Sequence, residues 1–156
     1  MRKQFAEILH EIMLENPKIV VIVGDVGFGV FDQIRQDFPD RFYNAGASEQ
    51  LMLGMAVGLA LEGYVPVAYT ITPFLLYRPF EFIRNYLNHE KIPVKLVGAG
   101  RNDDYSRDGF THHAFDDVHF LNLFPNITQI FPITLTKSTV EKFISSSSPA
   151  YMNLTR

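Results

Sequence analysis

Apolar positions along the chain alternate between helical spacing and short continuous runs. Over residues 3–15 the apolar side chains recur at the helical period, at Phe5, Ile8, Leu9, Ile12 and Met13. Residues 19–23 are all apolar and β-branched, which is typical of a parallel strand buried on both faces. Continued along the chain, the alternation predicts helices over 29–37, 49–62, 74–88, 116–123 and 134–145, and strands over 65–70, 93–98, 127–131 and 150–154.

This alternation predicts an α/β fold, a three-layer open sheet that is mainly parallel and covered by helices on both faces. The length, 156 residues, fits a single domain spanning 1–156. Ligands of such sheets bind beyond the carboxyl ends of the strands. We therefore expect Gly24-Asp25, residues 70–74 and residues 98–101 to share one functional edge.

Composition narrows the classes of function. The net charge of −3 comes without any basic run, which argues against a nucleic-acid partner. The apolar stretches are far shorter than the about 20 residues that a membrane-spanning helix needs. With no Cys the chain forms no disulfide and no Cys-ligated metal site, and the amphipathic N-terminus is a poor signal peptide, so we expect a cytoplasmic protein.

Two short segments could contact a ligand, and each also has an ordinary structural interpretation. Gly24-Asp25-Val26-Gly27-x-Gly29 follows the first strand and is either a tight turn or a phosphate-contacting loop, although it matches no standard phosphate motif. Glu49 begins an otherwise apolar helix for which Ser48 is the predicted cap. It is either a simple N-terminal charge or a carboxylate held against a basic ligand nitrogen.

A polar loop and an aromatic helix start complete the candidates. Residues 100–114 form a loop rich in glycine and aspartate that contains Asp108 and the adjacent pair His112-His113. One such histidine at the ligand edge is a plausible acid, base or substrate donor, whereas two adjacent ones point apart and make a poor metal pair. Phe74 begins a helix, where aromatic residues are more often part of the core than part of a site.

Taken in order, these pieces resemble the pyrimidine-binding domain of transketolases and 1-deoxyxylulose-5-phosphate synthases. The resemblance covers nearly the whole chain, and no single motif carries it. The matching motifs are the Gly-Asp-Val-Gly turn, Arg41-Phe42-Tyr43-Asn44-x-Gly46-x-x-Glu49-Gln50, Met55-Ala56-x-Gly58-x-Ala60, Gly63-x-x-Pro66, Phe74-x-x-x-Arg78-x-x-Glu81-x-x-Arg84 and Asp108-Gly109-x-Thr111-His112.

The resemblance implies a role for each residue around bound thiamine diphosphate. Glu49 would bond the ring nitrogen of the aminopyrimidine and favour the tautomer that removes the thiazolium proton. Phe74 would pack on the pyrimidine face. The catalytic residues would then be Glu49 and His112, the further cofactor contacts Asp25 and Arg78, and the substrate contacts Arg101, Asp108 and His112.

The sequence departs from the family in two places. Ala99-Gly100 stands where transketolases have a Thr-His pair, while Arg101 resembles an anion-binding Arg of the synthases. The diphosphate motif is absent, so the resemblance implies a split subunit whose partner supplies the diphosphate domain and the ligands of Mg²⁺ in an αβ or α2β2 heteromer. Met1 and the matching final strand favour a natural split subunit.

The resulting hypothesis is a transferase that moves a two-carbon ketol or acyl unit between small carbonyl or sugar substrates. Within the same cofactor class the alternative is a β-type subunit of a 2-oxo acid decarboxylase or dehydrogenase, although Thr111-His112 favours the transketolase branch. Outside that class the alternatives are a non-catalytic pairing subunit and a flavodoxin-like nucleotide domain.

Overall fold

The structure, a computed structural model, describes residues 1–156 and is built on one six-stranded sheet. The strands are β1 (Ile19–Val23), β2 (Phe42–Asn44), β3 (Val65–Ile71), β4 (Lys95–Ala99), β5 (Thr128–Ile130) and β6 (Ala150–Leu154). They lie in the order β2-β1-β3-β4-β6-β5, and every neighbouring pair is parallel. The predicted α/β class is confirmed, with an all-parallel sheet.

Helices cover both faces of the sheet. The first face carries α1 (Arg2–Glu15), α2 (Asp32–Asp37) and α7 (Lys137–Ser145). The second carries α3 (Glu49–Leu61), α4 (Thr72–Tyr77), α5 (Phe80–Phe82) with the π-helix Ile83–His89 that continues it, and α6 (Asp117–Leu121). Successive side chains of β1 enter the two cores alternately, as period-2 geometry requires. No helix is both long enough and apolar enough to span a bilayer.

Several predicted boundaries were wrong for local reasons. The strand β2 was missed because it is a short edge strand with exposed Tyr43 and Asn44 and no apolar run. The helix predicted over 29–37 begins only at Asp32, since Gly27 and Gly29 adopt positive φ angles in the preceding turn. The helix predicted over 74–88 begins at Thr72 and is interrupted at Pro79, which has no backbone N–H to donate.

Ser48 does not cap α3 as predicted, and the bounds of three other elements shift by one to three residues. Ser48 occupies the capping position, but its side chain makes no capping hydrogen bond. In α7 it is Thr136 that caps, because the backbone N–H of Thr139 donates to its hydroxyl oxygen. The prediction began this helix at residue 134, whereas it begins at Lys137. The helix predicted over 116–123 is shortened to α6, and the strand predicted over 93–98 becomes Lys95–Ala99.

Lys95 is a buried cation at the amino edge of the sheet. Only 1% of its surface is exposed. Its ammonium group donates to the carbonyl oxygens of Ser146 and Ser148, at 2.6 and 2.7 Å, in the turn before β6. Burial lowers its pKa from 10.5 to about 8. The side chain therefore stabilises this turn while the fold disfavours its charge.

Lys95 should make the stability of the chain depend on pH in a defined window. Between the folded pKa of about 8 and the ordinary value of 10.5, the unfolded chain holds one more proton than the folded chain. The free energy of unfolding should therefore rise with pH there, by up to about 1.4 kcal/mol per unit relative to a Lys95→Met variant. Urea unfolding from pH 7 to 11 measures this difference. Lys142→Met, an exposed change in α7, is the control, and parallel curves for wild type and Lys95→Met would contradict the prediction.

Candidate active site

Glu49 is held where the second core layer meets the carboxyl edge of the sheet. β2 ends at Asn44, a four-residue turn follows, and α3 begins at Glu49 itself. The side chain is 3% exposed, and its carboxylate lies at a helix N-terminus, where the helix dipole favours negative charge. The guanidinium of Arg78 donates to its Oε1 at 2.8 Å. The site thus contains a buried carboxylate with one charged partner.

Four of the predicted residues lie in one contiguous row, which we call the edge row: Glu49, Arg78, Phe74 and His112. From Glu49 the row continues through Arg78, whose guanidinium carbon lies 3.6 Å above the centre of the Phe74 ring. The His112 ring meets the Phe74 ring edge-on, with centroids 4.8 Å apart. The structure therefore brings together residues from α3, from α4 and its C-cap, and from the loop before α6, while the roles that the resemblance implies stay predictions.

A cavity of about 390 Å³ opens beside Glu49. Its lining is Ala47, Ser48, Glu49, Gln50, Leu51 and Arg78. Within the chain only Oε1 of Glu49 accepts a hydrogen bond, so Oε2 retains its capacity for a ligand. Arg78 is 45% exposed and can move away from the Phe74 face. A carboxylate oxygen and an aromatic face are what a flat ring with a basic nitrogen would require.

Asp25 lies on the same edge but outside the edge row. It is exposed and adopts a φ of 54°, directly after β1. The Asn44 side chain holds it: the Asp25 N–H donates to Asn44 Oδ1 at 3.0 Å, and Asn44 Nδ2 donates to Asp25 Oδ1 at 3.2 Å. Asn44 Oδ1 also accepts from the N–H of Gly46. Asn44 therefore joins the Asp25 turn to the turn that positions Glu49.

The loop that carries His112 places its two substrate candidates differently. His112 is partly buried, and its Nδ1 lies 3.1 Å from the hydroxyl oxygen of Thr111. Asp108 is exposed and makes no side-chain hydrogen bond within the chain. Its substrate role stays a prediction.

Arg101 points back into the protein. Its Nη2 donates to the carbonyl oxygens of Pro132 and Asn153, both at 2.7 Å, and its Nε donates to the side-chain oxygen of Asn153 at 3.2 Å. These bonds attach the start of the loop to β6. Only Nη1 makes no hydrogen bond within the chain, so the predicted anion contact at Arg101 stays a prediction.

Sequence reasoning missed a buried polar network beneath the loop. Its members, each at most 6% exposed, are Thr72, Asp117, Tyr151 and Asn153. Burial raises the pKa of the Asp117 carboxyl above its usual range and that of the Tyr151 hydroxyl well above its own. The sequence signal was weak, because polar side chains in a terminal strand and a short helix do not reveal that they meet.

A second cavity, of about 470 Å³, is lined in part by the loop that carries His112. Its lining is Pro73, Tyr77, Phe110, Thr111, His113, Phe115 and Asp116. The Tyr77 hydroxyl donates to Asp116, and burial together with that carboxylate raises the pKa of Tyr77. Nε2 of His113 is buried with no hydrogen-bond partner. No group of three or more metal-ligating side chains occurs in the chain.

The sequence profile of the family described as "Transketolase, pyrimidine binding domain" matches residues 1–156. The chain belongs to the transketolase family. A putative transketolase C-terminal section of Methanocaldococcus jannaschii is 32% identical over 159 residues, covering 100% of this chain and 50% of its own length. A 1-deoxy-D-xylulose-5-phosphate synthase of Dehalococcoides mccartyi is 34% identical over 129 residues, covering 82% of this chain and 20% of its own.

A solved structure described as a split gene transketolase, an inactive β4 tetramer, superimposes with a TM-score of 0.86 and 32% identity. The match covers 99% of this chain and 50% of that one. The chain thus spans half the length, or less, of the transketolase-family relatives it matches. The predicted resemblance to the transketolase family is confirmed, and membership of that family implies thiamine diphosphate as the cofactor.

Proposed function

We propose that this chain is the pyrimidine-domain subunit of a split, transketolase-like transferase. It would transfer a two-carbon ketol or acyl unit between small carbonyl or sugar substrates. The observation that carries the proposal is the edge row, in which a carboxylate that is 3% exposed is followed by an aromatic face and a histidine. A protein that serves only as a scaffold has no need of a buried carboxylate with an unused oxygen beside a cavity.

The residues present fit the aminopyrimidine of thiamine diphosphate. Glu49 Oε2 would bond the ring nitrogen, and Phe74 would pack against the ring, where stacking adds about 0.5–1.5 kcal/mol beyond burial. The cofactor, once bound, supplies the carbanion chemistry. Arg78 now covers the face of Phe74 on which the pyrimidine ring would pack, so its guanidinium would move outward when the cofactor binds. Asp25, on the adjoining turn, would lie near the cofactor.

The remaining edge residues act on the substrate in this proposal. His112 would donate a hydrogen bond to the oxygen next to the reacting carbon, because an imidazole ring offers an N–H donor at this end of the edge row. Its ring is oriented by Phe74 on one side and by Thr111 at Nδ1. Asp108 and Arg101 are proposed as more distant substrate contacts.

A partner subunit is the second part of the proposal. The matched relative from a split gene is inactive as a β4 tetramer, and this chain spans half of it. A separate subunit would provide the diphosphate domain and the ligands of Mg²⁺, in an αβ or α2β2 heteromer.

Product analysis of the reconstituted complex tests the reaction class. The complex is incubated with thiamine diphosphate, an acceptor aldehyde and either a 2-keto sugar phosphate or a 2-oxo acid. We expect a two-carbon extension of the aldehyde from the ketose without release of CO₂. Extension of the aldehyde from the 2-oxo acid with release of CO₂ would show transfer of an acyl unit, whereas release of CO₂ without any extension would assign the chain to the decarboxylase or dehydrogenase class. No product from either donor, with cofactor bound, would favour the non-catalytic alternative.

His112→Ala should impair the substrate step alone. Loss of a hydrogen bond from this ring should lower kcat/KM by about 10- to 100-fold, because bonds to a developing charge contribute about 1.5–3 kcal/mol. Cofactor affinity and exchange of the thiazolium C2 proton should not change. His119→Ala, on an exposed position of α6, is the control. A parallel loss of cofactor affinity would show that His112 supports the site and does not contact the substrate.

A further inference from the structure

The loop that carries His112 has two ends that lie close together. It leaves β4 through Gly100 and Arg101, and it enters α6 at Asp117. Near its base Asn102 pairs with Ala114, whose N–H donates to the Asn102 carbonyl oxygen at 2.7 Å. The loop is therefore closed at a neck, and whatever holds that neck also determines where His112 stands.

Asn153 on β6 touches both sides of this neck. It is fully buried. Its side-chain oxygen accepts from Arg101 Nε at 3.2 Å, and its side-chain nitrogen donates to Asp117 Oδ2 at 2.8 Å. One amide group thus links the residue that opens the loop to the residue that closes it.

The side-chain amide of Asn153 matches the chemistry of its two partners, Arg101 and Asp117. Arg101 is a donor only, and Asp117 accepts hydrogen bonds on both of its oxygens, so the residue between them must accept on one atom and donate on the next. Asn153 does both. Asp117 is otherwise bonded by the N–H of Val118 at 2.7 Å and the hydroxyl of Tyr151 at 3.2 Å. The carboxylate is therefore fully committed to the network and is not free for substrate.

The same network reaches the helix that carries Phe74. Thr72 begins α4, and its hydroxyl donates to the carbonyl oxygen of Gly100 at 2.7 Å. Asn153 Nδ2 also lies 3.3 Å from that hydroxyl oxygen. Both members of the Phe74–His112 ring contact are thus attached, through α4 and the loop neck, to one buried side chain.

We propose that Asn153 is a positioning residue of the active site, whose side-chain amide joins the two ends of the loop that carries His112; this inference rests on the function proposed above. Because its side chain is fully buried, it would contact neither cofactor nor substrate. Its effect is to keep His112 at the Phe74 ring, in the same position from one turnover to the next.

The link that Asn153 makes between the two loop ends is called the clamp below, and hydrogen exchange of the full chain, without partner or cofactor, tests it directly. In Asn153→Ala the protection of the loop amides, above all Ala114 and His113, should fall by about tenfold or more, because a buried hydrogen-bonded pair is lost at each end. The strands β1 and β3 should keep their protection. Asn122→Ala, the same substitution at the exposed end of α6, should change nothing in the loop.

Asn153→Asp distinguishes a clamp from a general packing role. The new carboxylate would keep its bond to Arg101 but face Asp117, and two carboxylates at that distance share one proton or repel. The charged and titratable groups around residues 153 and 117 are Arg101 at the loop start, Tyr151 on β6, Asp116 next to Asp117, and Tyr77 on α4. At about pH 8 we expect exchange to be faster at the closing end only, with the Asp104 amide still protected. At about pH 5 the shared proton should restore protection at both ends.

Kinetics of the complex with its partner provide the functional measurement. Asn153→Ala should lower kcat/KM about tenfold or more with unchanged cofactor affinity, and Asn153→Asp should recover activity as the pH falls while Asn153→Ala does not. Uniform loss of protection across the sheet, or loosened loop ends with full activity, would overturn the proposal. If Glu49→Gln also left activity intact, the failure would lie with the proposed function and not with the clamp.

Discussion

Replacing Glu49 with Gln should abolish activation of the cofactor while leaving the chain folded. The amide keeps the size of the side chain but cannot share a proton with the pyrimidine nitrogen, so exchange of the thiazolium C2 proton should slow by about 10²–10⁴-fold. The fold should persist because Arg78, which is 45% exposed, can be solvated when its partner loses its charge. Proton exchange in D₂O, quenched with acid and followed by NMR, measures the effect in the complex.

Glu62 offers a matched control for Glu49. It lies at the other end of the same helix α3 and is exposed. Glu62→Gln should leave proton exchange at the wild-type rate. An unchanged rate in Glu49→Gln, with cofactor bound, would rule out the role assigned to Glu49.

Gly98→Ala should destabilise the chain strongly, because the polar network crosses β4 at this glycine. A Cβ there would lie 2.6 Å from the Thr72 hydroxyl oxygen and 2.8 Å from the Tyr151 hydroxyl oxygen. Both groups are buried and hydrogen-bonded, so neither can move without breaking the network. We expect a loss of about 1–3 kcal/mol in the free energy of unfolding.

Gly58→Ala is the opposite case within the same chain. This glycine lies within α3 and is exposed, and beyond the helix's own backbone a Cβ there would meet nothing within 4 Å. Alanine there should raise the free energy of unfolding by about 0.5–1 kcal/mol, since glycine is the poorer helix former. Urea unfolding of both variants in the isolated chain compares them. A mild effect at Gly98 would show that the network has room to adjust.

The fold was predictable because its signals are local. The continuous apolar runs at β1 and β3, separated by amphipathic segments, are sufficient to indicate a parallel sheet and its functional edge. β2 was not predicted, because this edge strand exposes Tyr43 and Asn44 and therefore has no continuous apolar run. The break at Pro79 was readable in principle, but the helical period on both sides of it hid the interruption.

The candidate site was predictable only as far as a resemblance extended. Glu49, Phe74, Arg78 and His112 come from distant segments, and only the motifs of a known family indicated that they meet. The structure brings these four together, and their functional roles remain proposals. The Asn153 network could not be predicted from the sequence, since its geometry depends on the packing of β6 beneath α4 and α6. An asparagine within an apolar strand was the one available hint, because buried polar groups require partners.

Thiamine diphosphate binding in the presence of Mg²⁺, followed by calorimetry, tests the central claim most directly. The chain is titrated alone and then mixed with a candidate subunit that carries the diphosphate domain. We expect tight binding by the mixture only, lost when the partner's diphosphate motif is altered. Tight binding by this chain alone would contradict the claim that its site is completed by a partner.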